Sequence, residues 1–131
     1  MPELERRPAG ASIDEICEIV ARDGAMILEG VLSPDEVRNA VDELRPYIDA
    51  TPPGQDEFIG KCTRRTGALV ARSAASRAMI LHEAILPAAR KFLEPWCDTI
   101  QLHLSQIITI QPGETAQQIH RDRWAWGTYL E

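Results

Sequence analysis

No stretch of this chain is apolar for the roughly 18 to 20 residues that a membrane span requires, and its first ten residues, MPELERRPAG, lack the apolar core of a signal peptide. A membrane protein is therefore not expected, and a cytoplasmic location is the default. Cysteine is sparse: Cys17, Cys62 and Cys97 are odd in number and far apart. That pattern fits neither a disulfide framework nor a paired-cysteine zinc or redox site, and leaves reduced thiols as the expectation. Basic charge is also short, with 14 Lys and Arg against 20 Asp and Glu and a net charge of −6. Nucleic-acid binding, which needs clustered excess cations, is excluded as a first reading, and solubility accounts for the acidity. The remaining composition is ordinary for one globular domain: 131 residues, 44% hydrophobic and 26% charged.

Residues 1–11, with Pro2, Pro8 and Gly10 among charges, read as a mobile lead-in to a domain over 12–131. Ser12-Ile13-Asp14-Glu15 is a capping-box pattern, and Ile13, Ile16, Ile19 and Val20 follow at helical spacing until Gly24. Ala25 to Leu28 is apolar enough for a short strand. Ser33-Pro34-Asp35-Glu36 opens a second helix whose apolar face is Val37, Ala40, Val41 and Leu44, with Pro46 expected to stop or kink it. Asp49 to Thr66 reads as a long loop, and Ser73 to Leu93 as helix interrupted around Pro87. Thr99 to Ile110 then takes on strand character, with a phase slip that a bulge or a doubly buried strand end would explain. A turn at Pro112-Gly113-Glu114 leads to a further strand predicted over Ala116 to Asp122. The fold class expected from this order is α+β.

The last predicted strand carries His120-Arg121-Asp122. Side chains at i and i+2 of a strand share one face, so the imidazole and carboxylate can share one ion. Non-haem Fe(II) oxygenases hold iron with two histidines and one carboxylate, leaving open positions for a co-substrate and O₂. His120 and Asp122 would supply two of those ligands, and no histidine follows Asp122. By itself the triplet is weak: with three histidines and eight aspartates in 131 residues, chance gives one about one time in five, so context must decide. The same letters occur in protein-kinase catalytic loops, but Gly127 stands where a kinase needs asparagine, and no glycine-rich phosphate loop precedes the triplet.

The context resembles the phytanoyl-CoA dioxygenase family. Asp23-Gly24-Ala25-Met26-Ile27-Leu28-Glu29-Gly30-Val31-Leu32-Ser33-Pro34-Asp35-Glu36-Val37 is similar to the family's N-terminal signature of a short strand and a capped helix. Thr63-Arg64-Arg65-Thr66-Gly67, the strand and turn from Ile107 to Gly113, and Gln117-Gln118-Ile119-His120-Arg121-Asp122 come in the family's order. The likeness covers residues 12–131 and is strongest toward the largely fungal branch that oxidises secondary metabolites. It implies N-terminal helices and the first strands of a double-stranded β-helix, a cupin-like jelly roll whose barrel is incomplete here. It also implies Fe(II) as cofactor, 2-oxoglutarate as co-substrate, and a small organic substrate oxidised with O₂. His120 and Asp122 match two metal ligands, and Gln117 matches a position that contacts 2-oxoglutarate. The distal histidine and the arginine that binds 2-oxoglutarate fall beyond residue 131, so the chain is expected to be the N-terminal half of a family member.

The alternative is a catalytically incomplete fragment that serves as a binding or dimerising module, and an incomplete barrel does predict homo-oligomerisation. His82, placed in a helix, and His103, on a strand's polar face, are read as surface or structural residues. Arg64 and Arg65 suit a carboxylate of substrate or co-substrate, and equally suit a solvated loop. Trp124 and Trp126 stand at strand spacing, either as walls of a substrate pocket or as exposed apolar surface.

Overall fold

The computed structural model describes residues 3–120 and 122. Strand β1, Arg6–Pro8, lies in the stretch expected to be only a lead-in, and pairs in parallel with β2, Ile27–Glu29. Between them runs helix α1, Ile13–Asp23. Ser12 caps it by accepting a hydrogen bond from the Glu15 amide at 3.2 Å. The predicted capping box is only half formed, because the Glu15 carboxylate bonds Arg7 of β1 instead of returning to the cap. A guanidinium is a stronger partner for a carboxylate than a backbone amide. Gly24 ends the helix at φ 80°, a left-handed conformation that glycine adopts without the Cβ penalty, and its amide bonds the Val20 carbonyl.

Helix α2, Pro34–Ala50, begins with the complete box: Ser33 Oγ accepts from the Glu36 amide, and Glu36 Oε2 accepts from the Ser33 amide at 2.8 Å and hydroxyl at 2.7 Å. Pro46 does not end it, and the helix continues to Ala50. A single proline removes one intrahelical bond, while burial of Ala40 and Leu44 on the inner face holds the helix along its length. Pro87 likewise breaks nothing. The interruption lies earlier, between α4, Ala74–Ile80, and α5, Ile85–Leu93, so that Pro87 falls in the first turn of α5, where its missing N–H has no intrahelical partner to lose. Glu43 of α2 accepts from the Ala75 amide at 3.1 Å and so ties the start of α4 to α2. Ile16, Ile19, Ala40, Leu44, Leu69 and Ala84 form the buried apolar core, drawn from the helices and their ends.

The second sheet builds the site. Strand β3, Thr63–Gly67, occupies the end of the predicted long loop and pairs antiparallel with β4, Gln106–Ile110. Only these five residues of the predicted strand from Thr99 are paired; 99–105 is irregular. The residues before the phase slip have the right alternation but no neighbouring strand among the described residues, and a strand is stable only as part of a sheet. In register, Thr63 faces Ile110, Arg65 faces Ile108 and Gly67 faces Gln106. Alternation sends Thr66 to the other face, where it is 1% exposed and its hydroxyl donates to Thr51 at the end of α2 at 2.9 Å. The Arg72 guanidinium, 4.9 Å above the Tyr47 ring, also bonds the Gly67 carbonyl at 2.9 Å and anchors the end of β3 to α2. Short helix α3, Leu69–Arg72, connects β3 to α4. No helix among the described residues is long and apolar enough to cross a membrane.

Leu44 is 2% exposed at the centre of the helical core. Leu44→Ala should cost about 2–5 kcal/mol, read as a lowered unfolding midpoint in urea; an unchanged midpoint would show that the helices do not pack around it. The Ser33 amide and hydroxyl hold the Glu36 carboxyl below the usual carboxylate range. Because the folded value lies below the unfolded one, this support is complete above the unfolded pKa and is lost as pH falls through the folded one. Glu36→Gln should therefore lower the melting temperature at pH 7, and the gap from wild type should narrow as pH falls below the ordinary glutamate value and through the lower folded one. A gap that is constant with pH would remove the charge from the explanation.

Candidate functional site

The face of the β3–β4 pair carrying Thr63, Arg65, Gln106, Ile108 and Ile110 forms one wall of a groove of about 780 Å³. The opposite wall comes from the loop before β3, with Glu57, Phe58, Ile59 and Gly60, and from the segment after β4, with Glu114, Thr115, Gln117, His120 and Asp122. His103 and Leu104 close one end. Apolar strand residues and a few polar groups in one concavity are the usual make-up of a small-molecule site.

Gln117, His120 and Asp122, singled out by the sequence, thus stand in one groove. The strand expected to align them is not there: 116–120 has no regular structure, so strand alternation is not what brings the pair together. Side-chain and carbonyl contacts hold the imidazole instead. The His120 ring packs on Phe58 with centroids 5.2 Å apart at 59°, an edge-tilted arrangement that aromatic quadrupoles favour. His120 Nδ1 lies 2.7 Å from the Gln118 carbonyl oxygen. A carbonyl only accepts, so Nδ1 is the donor in this pair and Nε2 is the nitrogen left to face a ligand. Nε2 stands 3.6 Å from Asp122 Oδ1. Imidazole and carboxylate bonds to a divalent ion of about 2.1 Å each reach across about 4.2 Å at most, so the 3.6 Å separation is within the span of one cation. The donor set, one imidazole with its second nitrogen bound to a carbonyl and one carboxylate, fits such an ion. Among the described residues no group of three His, Cys, Asp or Glu assembles around it.

The other sequence candidates divide. His103 lines the groove but does not join His120 and Asp122 in a three-donor cluster. His82 is not in a helix; it lies in the turn between α4 and α5, where its Nδ1 accepts from the Ala84 amide at 3.1 Å, a structural role. Arg65 faces the groove, its Nε donating to the Ile59 carbonyl at 3.1 Å, whereas Arg64 lies on the opposite face of β3. Trp124 and Trp126 lie outside the described residues.

Three residues of the groove do not stand out in the sequence: Glu114, legible there only as part of a turn, Phe58 and Gly60. Glu114 Oε2 accepts from the Cys62 amide at 2.7 Å and the Thr63 hydroxyl at 2.8 Å, and its Oε1 accepts from the Thr115 amide at 3.0 Å. The Thr63 hydroxyl, then the Cys62 and Thr115 amides, hold the Glu114 carboxyl below its ordinary range against a desolvation that acts the other way. The one available signal is Gly60 three residues before Thr63, and a lone glycine in a loop has too many meanings to single out a carboxylate some fifty residues away.

Comparison with known proteins adds the family. The family model for phytanoyl-CoA dioxygenase (PhyH) matches residues 20–130. The dioxygenase FrzG of a Cladobotryum species is 36% identical over 135 residues, covering 92% of this chain and 44% of that protein. The multifunctional dioxygenase prhA of Penicillium brasilianum is 30% identical, covering 93% of this chain and 42% of its own length, and the multifunctional dioxygenase ausE of Aspergillus calidoustus is 29% identical with 93% and 43% coverage. The chain thus spans less than half the length of these relatives. With nearly all of its own residues matched and the groove in the matched region, the chain belongs to the phytanoyl-CoA dioxygenase family.

Proposed function

We propose that this chain forms the metal- and co-substrate-binding part of an Fe(II)/2-oxoglutarate-dependent dioxygenase that oxidises a small organic molecule, by hydroxylation or a related reaction. The observation that carries this is the His120 Nε2 to Asp122 Oδ1 approach of 3.6 Å within the groove of a dioxygenase-family chain. Bound Fe(II), with 2-oxoglutarate and O₂, supplies the oxidation, and the co-substrate leaves as succinate and CO₂. The β3–β4 pair is read as the opening of a double-stranded β-helix, with Ile108 and Ile110 on its inner face.

The groove residues divide the work. His120 and Asp122 hold the metal, and the Gln118 carbonyl fixes the imidazole in the tautomer that leaves Nε2 free to bind. Gln117, three residues before the histidine, contacts 2-oxoglutarate; its amide nitrogen donates to the Phe58 carbonyl, which fixes the side chain against the groove wall. Arg65 is the groove cation best placed to receive a carboxylate of co-substrate or substrate, since its Nε is committed to Ile59 while a guanidinium has further N–H donors to offer. The apolar strand residues Ile108 and Ile110 offer the substrate an apolar contact surface.

Anaerobic titration of the 131-residue chain with Fe(II) or Mn(II) should give weak binding, because two protein ligands leave the rest of the coordination to water. His120→Ala should weaken it by about tenfold or more; tight binding that survives the substitution would remove His120 from the site. Turnover needs a third protein ligand and a fixed chelating pose of the keto acid, so this chain alone should release no succinate from 2-oxoglutarate above a metal-free control. A version extended through the coding sequence downstream should release it, and Asp122→Ala in that version should return it to the control level. Succinate from the short chain would show that it completes its own site, while none from the extended protein with iron bound would refute the dioxygenase reading and favour a binding or dimerising module.

A further inference from the structure

Resting on the metal reading of His120 and Asp122, we infer that Glu114 is the positioning residue of this site: its carboxylate clamps the segment after β4 to the 58–63 loop and thereby sets where the His120 imidazole stands. Beyond the backbone bond at Gln111, side chains of the segment touch the loop at three places spaced three residues apart. Glu114 bonds Cys62 and Thr63, Gln117 bonds the Phe58 carbonyl, and the His120 ring packs on the Phe58 ring. The last two contacts meet one loop residue and have no strand to hold them, since 116–120 is irregular. After the backbone bond from the Gln111 amide to the Cys62 carbonyl at 3.1 Å, Glu114 is the first side-chain contact past β4, and it carries the register of the strand pair on to residues 115–120.

The loop is shaped around this carboxylate. Gly60 adopts φ 98°, and a Cβ there would come within 2.6 Å of both Glu114 Oε2 and Thr63 Oγ1. Its amide is held by the Asp56 carbonyl at 3.0 Å, so the backbone has little room to retreat. Three donors converge on one carboxylate, and charge-assisted bonds of this kind are about twice as strong as neutral ones. Glutamine at 114 keeps the length of the side chain but replaces one accepting oxygen with an NH₂ that faces donors. Valine at 63 keeps the shape of threonine and removes only the hydroxyl, whereas serine restores it.

Two readouts separate this clamp from the metal reading beneath it. The first is the His120 Cε1–H proton resonance, assigned with His120→Ala and shifted by the Phe58 ring current, for which Phe58→Ala gives the value without the ring. The second is Mn(II) affinity. In Glu114→Gln and Thr63→Val the His120 resonance should move toward its Phe58→Ala position while that of His82 stays, and Mn(II) should bind about tenfold more weakly; Thr63→Ser should match wild type in both. A His120 resonance unmoved in both variants, or one that moves with no change in Mn(II) affinity, overturns the positioning role. Should Glu114→Gln lose its helical circular dichroism, the Thr63→Val and Thr63→Ser pair decides the question. Wild-type protein that binds no Mn(II), yet shows the resonance shift in the variants, would keep the clamp and refute the metal assignment.

Discussion

Backbone pairing between Thr63–Gly67 and Gln106–Ile110 is the constraint on which the groove depends. It joins two segments separated by three helices, and closing so long a loop costs entropy that the five paired residues must offset. The helices between them reduce that cost by ordering the intervening chain. α2 supports β3 from beneath through the Thr51–Thr66 hydroxyl pair and the Tyr47, Arg72 and Gly67 contacts, so the sheet is attached to the helical core by one face. The other face is left to the groove. Both walls exist because the loop before β3 and the segment after β4 leave the same end of one sheet.

The chemistry of the groove comes from that adjacency. An imidazole, a carboxylate, a carboxamide and a guanidinium stand among isoleucine and phenylalanine side chains, and hydrogen bonds to the backbone orient three of them. The carbonyl of Gln118 serves His120, that of Phe58 serves Gln117, and that of Ile59 serves Arg65. Orientation by carbonyls leaves the side-chain acceptors of the groove for ligands and for the Glu114 clamp. It also explains how an irregular segment can hold the His120 imidazole in one orientation without a strand. The family match and the groove lie in the same residues, which gives the oxidative reading its weight.

Local signals are legible where a residue's role is completed within a few neighbours. The caps at Ser12 and Ser33, the left-handed end at Gly24, the apolar stripe through Ala40 and Leu44, and the short strand β2 are of this kind. So is His120-Arg121-Asp122, whose imidazole and carboxylate stand out by type and spacing as a candidate metal pair. The α+β class comes from the order of these elements. Prolines mislead, since Pro46 and Pro87 carry the same local meaning as a helix breaker, yet one sits in a helix held by its buried face and the other in a first turn where no hydrogen bond is lost.

By itself, then, the sequence determined the starts of α1 and α2, the candidate metal pair and the family. Tertiary structure decided the rest, because those outcomes depend on partners distant in the chain. Which part of 99–110 becomes a strand depends on where β3 lies beside it, and Glu15 leaves its cap because β1 brings Arg7 within reach. Arg65 rather than Arg64 enters the groove because the register with β4 fixes which face is which. Glu114 and Gly60 become a clamp only when the turn after β4 meets the loop before β3, since a carboxylate's role is set by the donors that surround it and two of those donors lie some fifty residues away in the chain.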